Sequence, residues 1–242
     1  SLPVSFEPNV GQAPANEKYI VAGADAAAVT ATGVVLRGGS KPVTLEFIGA
    51  STSASMTGTN ELAGKANYLV GDDPSAWKTN VPTYASVRVE QLYPGVDLAW
   101  YGKGRSLEFD LVLEAGADPG NVSFKLDGVP APIPEIGPDG ALVAGDVRFE
   151  RPVAYQEVDE VRKAVPCGYV TNGDGRVGFR LGEYDHLLPL VIDPEIGYTY
   201  TFADSSKDIS IFGIAVDSTG AAYVAGRTRT EGSGGVLTVA AF

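Results

Sequence analysis

Along most of the chain, apolar residues alternate with polar ones in short runs, each ended by glycine, proline or an acidic residue. Alternation with period two puts successive side chains on opposite faces of an extended backbone, so such runs predict strands with one face on a core. Residues 43–48 (VTLEFI) place Val43, Leu45 and Phe47 together on one face. In residues 107–113, Leu107, Phe109, Leu111 and Leu113 point one way, and Glu108 and Asp110 point to solvent. Residues 84–92 alternate Val87 and Val89 against Arg88 and Glu90. Further strands are predicted over residues 18–23, 33–37, 96–101, 121–126, 147–150, 153–158 and 188–192. Residues 161–171 are expected to pair as one strand with 177–181 across the Gly-rich connection 172–176 (NGDGR). Residues 72–78 (DDPSAWK) predict a single helical turn anchored by Trp77, and no longer amphipathic helix is expected.

The fold class that follows is all-β: an antiparallel β-sandwich-like unit over residues 1–194, as one sandwich or two fused halves. After Pro194, four short strands are predicted at 198–202, 212–217, 221–226 and 236–242, with a flexible EGSGG stretch at 231–235. Four strands in about 45 residues match one propeller blade, so residues 195–242 are read as a single four-stranded, blade-like sheet.

Composition narrows the function. The 242 residues hold 18 Lys+Arg and 30 Asp+Glu, a net charge of −12, so the clustered cations that nucleic-acid binding needs are missing. Hydrophobic residues reach 44%, enough to build a core, yet no run approaches a membrane span and no membrane insertion is expected. The start at Ser1, the acidic charge and the single Cys are read as a processed, secreted protein of the cell surface.

Catalytic and metal chemistry find few residues. With one Cys and one His, neither an internal disulfide nor a Cys/His zinc site can form. Cys167 and His186 are the one thiol–imidazole combination, but Cys167 alternates with Val165 and Tyr169 as a buried apolar residue would. Glu108 and Asp110 lie about 7 Å apart along one strand, near glycosidase spacing, on what reads as a solvent face. A non-enzyme without resident cofactor is therefore expected. Asp72, Asp73 and Asp174 sit in Gly-containing loops with oxygen ligands suited to calcium, though turn formation accounts for them equally. Tyr84, Tyr93, Trp100, Tyr101 and Tyr155 are candidates for stacking on a glycan, and residues 121–123 (NVS) form a glycosylation sequon.

Several blocks carry a family resemblance: LPVSFEPNVGQ (2–12), GKANYLVGDDPSAWKTNVPTYASVRVEQLYPGVDLAWYG (64–102), LEFDLVLEAGADP (107–119), RPVAYQE (151–157) and PLVIDPEIGYTY (189–200). Together they resemble a domain of unknown function found in large secreted bacterial proteins just before a run of SBBP β-propeller repeats. GIAVDSTGAAYVAGRT (213–228) resembles the signature of one such repeat. The resemblance implies location and architecture but carries no activity. A lone blade cannot bury both faces, so its completion by another copy is expected, by strand donation that propagates head to tail into a filament; the equal alternative is a fragment whose last strand folds back at home. The candidate donated strands are Leu2, Val4 and Phe6 at one end, and Val236, Leu237, Val239 and Phe242 at the other. The alternative is an extracellular adhesion module of a larger propeller protein, recognising a surface glycan or another protein.

Overall fold

Strand-forming alternation governs the structure, a computed structural model that describes residues 4–23, 27–37, 41–104, 106–129, 134–145, 147–198, 207–216, 222–230 and 236–241. Its contacts divide the chain into Leu2–Thr199 and Tyr200–Phe242. In the larger unit β1 (Ser5–Pro8), β2 (Glu17–Ala22), β3 (Ala27–Thr30), β4 (Gly33–Leu36) and β5 (Val43–Phe47) form an antiparallel meander, each paired with the next. A long hairpin follows, β6 (Ser55–Tyr68) and β7 (Lys78–Tyr93), and then β8 (Val96–Lys103) and β9 (Ser106–Leu113). β10 (Ser123–Asp127) returns beside β5. The short strands β11 (Glu135–Ile136), β12 (Leu142–Ala144) and β13 (Val147–Phe149) lead to β14 (Val153–Val158), β15 (Val161–Val165), β16 (Cys167–Thr171), β17 (Val177–Leu181), β18 (Leu190–Asp193) and β19 (Ile196–Tyr198).

Most of these strands belong to one sheet, in the order β15-β14-β18-β9-β8-β7-β1-β2-β3-β4-β5-β10-β17-β16, with β6 attached to β7. The two ends of that order, β15 and β16, are consecutive in the chain and separated by Pro166 alone. The ribbon of strands therefore returns to its own beginning through a covalent link. The uninterrupted strand predicted at 161–171 is corrected accordingly. Residues 161–165 pair with β14, and only residues 167–171 pair with β17. Proline suits this corner because it has no N–H to offer either ladder, while its carbonyl accepts from the Gly182 N–H at 2.8 Å.

Closing the ribbon brings its apolar face onto itself. Phe47 of β5 meets Phe109 of β9 edge to face, with ring centroids 5.7 Å apart. Phe109 in turn packs on Trp100 at 5.1 Å, and Phe124 links Phe47, Phe149 and Phe179. Val43, Leu45, Phe47, Leu107, Leu111 and Leu113 are buried as their alternation predicts. Burying each such side chain stabilises by roughly 1.5–3 kcal/mol. Gly33 is dictated by proximity, since a Cβ there would stand 1.9 Å from the Leu45 carbonyl oxygen. A second sheet, in the order β11-β12-β13-β19, adds Leu142, Ala144, Val147, Phe149 and Ile196 to the same core.

The smaller unit holds β20 (Lys207–Val216), β21 (Ala222–Thr230) and β22 (Val236–Ala241), an antiparallel sheet of three strands. A four-stranded blade was the expectation. Of its first predicted strand, Tyr198 belongs to β19 and pairs with β13, and residues 199–202 lie outside the described residues. Among the candidate donor residues, Val4 and Phe6 are buried in the core of their own chain, and Phe6 pairs with Val21 and Tyr84. Val236, Leu237 and Val239 pair at home with Thr228, Arg227 and Ala225, whereas Leu2 and Phe242 lie outside the described residues.

Phe109 touches both halves of the ribbon, so Phe109→Ala is expected to cost about 3–5 kcal/mol of unfolding free energy. Urea denaturation measures it. A loss below about 1 kcal/mol contradicts the packing described.

Candidate functional site

The outer faces of β8, β9, β14, β15 and β18 carry the densest group of ionisable side chains. Register sets the arrangement: Tyr101 lies opposite Glu108, and Ala99 opposite Asp110. Glu108 also forms a bridge pair with Glu195, two residues past β18. The Tyr101 hydroxyl donates to Asp110 Oδ1 at 2.9 Å and stands 3.4 Å from Asp193 Oδ1. Lys103 Nζ lies 3.6 Å from Glu108 Oε1 and 3.5 Å from Glu195 Oε2. At the margin the Arg162 guanidinium sits 4.3 Å over the Tyr155 ring. Four carboxylates thus share one face with two cations.

Glu108 departs from expectation. Its position in the alternation turns it away from Leu107 and Phe109, yet it is only 1% exposed, not on a solvent face. Among the described residues neither of its carboxyl oxygens has a hydrogen-bond partner, and Lys103 is its one ion-pair contact. Burial pushes the Glu108 carboxyl above the usual range, against the pull of the Lys103 ammonium. Asp110 and Asp193 are raised too, mainly by burial, with the Tyr101 hydrogen bond acting against it. The same surroundings raise the Tyr101 phenol. Such a face can take up protons when the pH falls. Among the described residues no three His, Cys, Asp or Glu side chains are placed to hold a metal ion.

Other candidates lie apart. Cys167 is buried on β16, where desolvation raises its thiol to about 11. His186 stacks on Tyr184 with ring centroids 4.2 Å apart, and it is absent from the walls of the cavity beside Cys167. Asp73 caps a 3-10 turn, Pro74–Ala76, by accepting from the Ser75 N–H, and Trp77 closes that turn as predicted. Asp174 accepts from the Arg176 backbone N–H at 3.2 Å and forms an ion pair with its guanidinium, and Asp72 is exposed at the tip of the β6–β7 hairpin. Of the aromatics, Trp100 and Tyr93 are core residues, Tyr84 packs on Tyr19, and Tyr101 and Tyr155 border the carboxylates.

Two cavities complete the survey. One of about 370 Å³ lies between β1, the end of β2 and β6, with Ser5, Glu7, Ala22 and Leu62 among its walls. The other, about 340 Å³, opens at β16 and β17 and includes Arg151 and Arg180. Sequence reasoning missed both cavities, because each joins strands far apart in the chain. The burial of Glu108 escaped it for the same reason.

Comparison with known proteins adds one finding: the model of a domain of unknown function (DUF7948) matches residues 6–195. No curated protein and no solved structure matches the chain.

The raised carboxyls fix a sign for the pH dependence of stability. A carboxyl raised in the folded state contributes stability that is fully present below its unfolded pKa and lost as pH rises through the folded value. Glu108→Gln is therefore expected to raise stability at pH 7 and to flatten the decline between acid and neutral pH. Urea unfolding at pH 5 and 7 measures it, and identical slopes for the two proteins contradict it.

Proposed function

The chain belongs to the DUF7948 family of domains of unknown function, and on that premise we propose that it is a non-enzymatic, extracellular structural module that assembles with further copies of itself. The observation that carries this reading is the sheet of β20, β21 and β22, in which β21 is paired on both sides, and β20 and β22 are the edges among the described residues. An open edge offers a row of backbone donors and acceptors to any extended segment. A strand supplied by a neighbouring copy makes up the fourth member of a blade-like sheet. Because β22 already holds six register pairs with β21, adding a strand at an edge costs less than exchanging β22 itself. The reading thus moves from strand exchange, expected from the sequence, to edge addition. The acidic composition and the single buried Cys167 suit a secreted protein.

A second reading has its own support. Residues 213–228, which resemble an SBBP repeat, contribute to both β20 and β21 and so to one hairpin. In this reading the three strands begin a larger bacterial propeller protein, and the module serves in adhesion to a glycan or protein.

Negative-stain electron microscopy with size-exclusion chromatography separates the two. Assembly predicts regular polymers that disappear when β22 is deleted. A monodisperse monomer at every concentration contradicts assembly and favours adhesion.

A further inference from the structure

Arginines without a carboxylate partner are few among the described residues of this acidic chain. Arg37, Arg88, Arg148 and Arg176 each pair with a carboxylate, and Arg162 stacks on Tyr155. Arg151 and Arg180 have no ion-pair partner among the described residues, and both line the 340 Å³ cavity at β16 and β17. The Arg151 stem runs along Gly140, where an added Cβ would meet its Cδ at 3.1 Å. Its Nε donates to the Cys167 carbonyl at 3.4 Å, which holds the guanidinium while leaving its terminal nitrogens unused. Arg180 lies opposite Gly168 in the β16–β17 register. The cavity is open over Gly168, since a Cβ built there meets nothing within 4 Å. Two guanidiniums beside a glycine floor suit a carboxylate, whose planar oxygens match the arginine fork.

The same chain offers a matching group. The tip of the β6–β7 hairpin exposes Leu69 (58%) and Val70 (76%), followed by the exposed residues Asp72 and Asp73. This tip is braced: Trp77 Nε1 donates to the Gly71 carbonyl at 3.1 Å, and Asp73 caps the turn that follows. Asp72 has no hydrogen bond or ion pair among the described residues. Exposed aliphatic groups beside free carboxylate complement a cavity that is part apolar and carries two free guanidiniums.

We infer that the acidic hairpin tip, residues 69–73, of one copy seats in the Arg151–Arg180 cavity of the next. The inference rests on the reading that this chain associates with itself, and it names a contact other than the blade edge. Tip and cavity are different surfaces, so the contact is heterologous and each copy can engage two others. It is small and charged at its rim, which makes it individually weak and sensitive to salt.

Sedimentation velocity of the full chain, over a range of concentrations at low and high salt, tests this contact. The wild-type chain is expected to associate, and less so at high salt. Reversing the tip (Asp72→Lys with Asp73→Lys) or the cavity (Arg151→Glu with Arg180→Glu) is expected to weaken association at least about tenfold. Mixing the two reversed chains restores it. Gly168→Tyr fills the cavity without changing any charge and is expected to weaken association alike, with circular dichroism confirming that each variant folds. Association that survives all three changes overturns the tip-in-cavity contact and leaves self-assembly standing. A wild-type chain that stays monomeric overturns both.

Discussion

The larger unit depends on one constraint: residues 161–171 serve both ends of the same sheet. β15 ends the ribbon on one side and β16 on the other, with Pro166 between them. An extended sheet of this size would leave a broad apolar face in water and two open edges. Tying its ends together through one residue makes the face fold inward, which brings Phe47 onto Phe109 and collects Phe124, Phe149 and Phe179 around them. The strand that changes sides is the corner by which barrel-like sandwiches are built. The hydrogen bond from Gly182 to Pro166 sits at that corner.

Closure also distributes the charges. It places Glu108, Asp110, Asp193 and Glu195 on one outer face, where Lys103 and Arg162 act on them among the described residues. Glu108 is buried there without a hydrogen-bond donor, an arrangement that costs stability at neutral pH and costs less in acid. Among the described residues Arg37, Arg88, Arg148 and Arg176 are committed to carboxylates of their own, whereas Arg151 and Arg180 have none and form a small positive site on a negative molecule. The inferred contact between copies turns on this contrast, together with the hairpin tip that carries exposed acidic and aliphatic residues.

Much of the fold was legible in the sequence because strong alternation survives in it. Residues 43–47, 107–113 and 153–158 form strands as read, and in the first two the predicted apolar sides are buried. β6 was missed: SMTGTNELAGKANY has little alternation, and its positions are mostly exposed, so no burial pattern was there to read. Its partner β7 starts at Lys78, earlier than predicted, because pairing along the hairpin extends a strand where the apolar pattern does not. The break at Pro166 was hidden because both halves of 161–171 have strand character, and only the closing of the sheet separates them. The site was less legible still. Glu108 sits where alternation calls for solvent, and its burial comes from residues far along the chain. Cys167, by contrast, is buried as its neighbours Val165 and Tyr169 imply.

Native-state hydrogen exchange along the full chain probes the closure most directly. A ribbon tied end to end at Pro166 opens as one unit, so the amides of β5, β9, β10 and β17 are expected to share one high protection level. The β6–β7 tip is expected to exchange sooner, because its backbone is exposed and little of it is packed. Protection that falls into two levels, with β1–β5 releasing separately from β8 and β9, would contradict a closed ribbon.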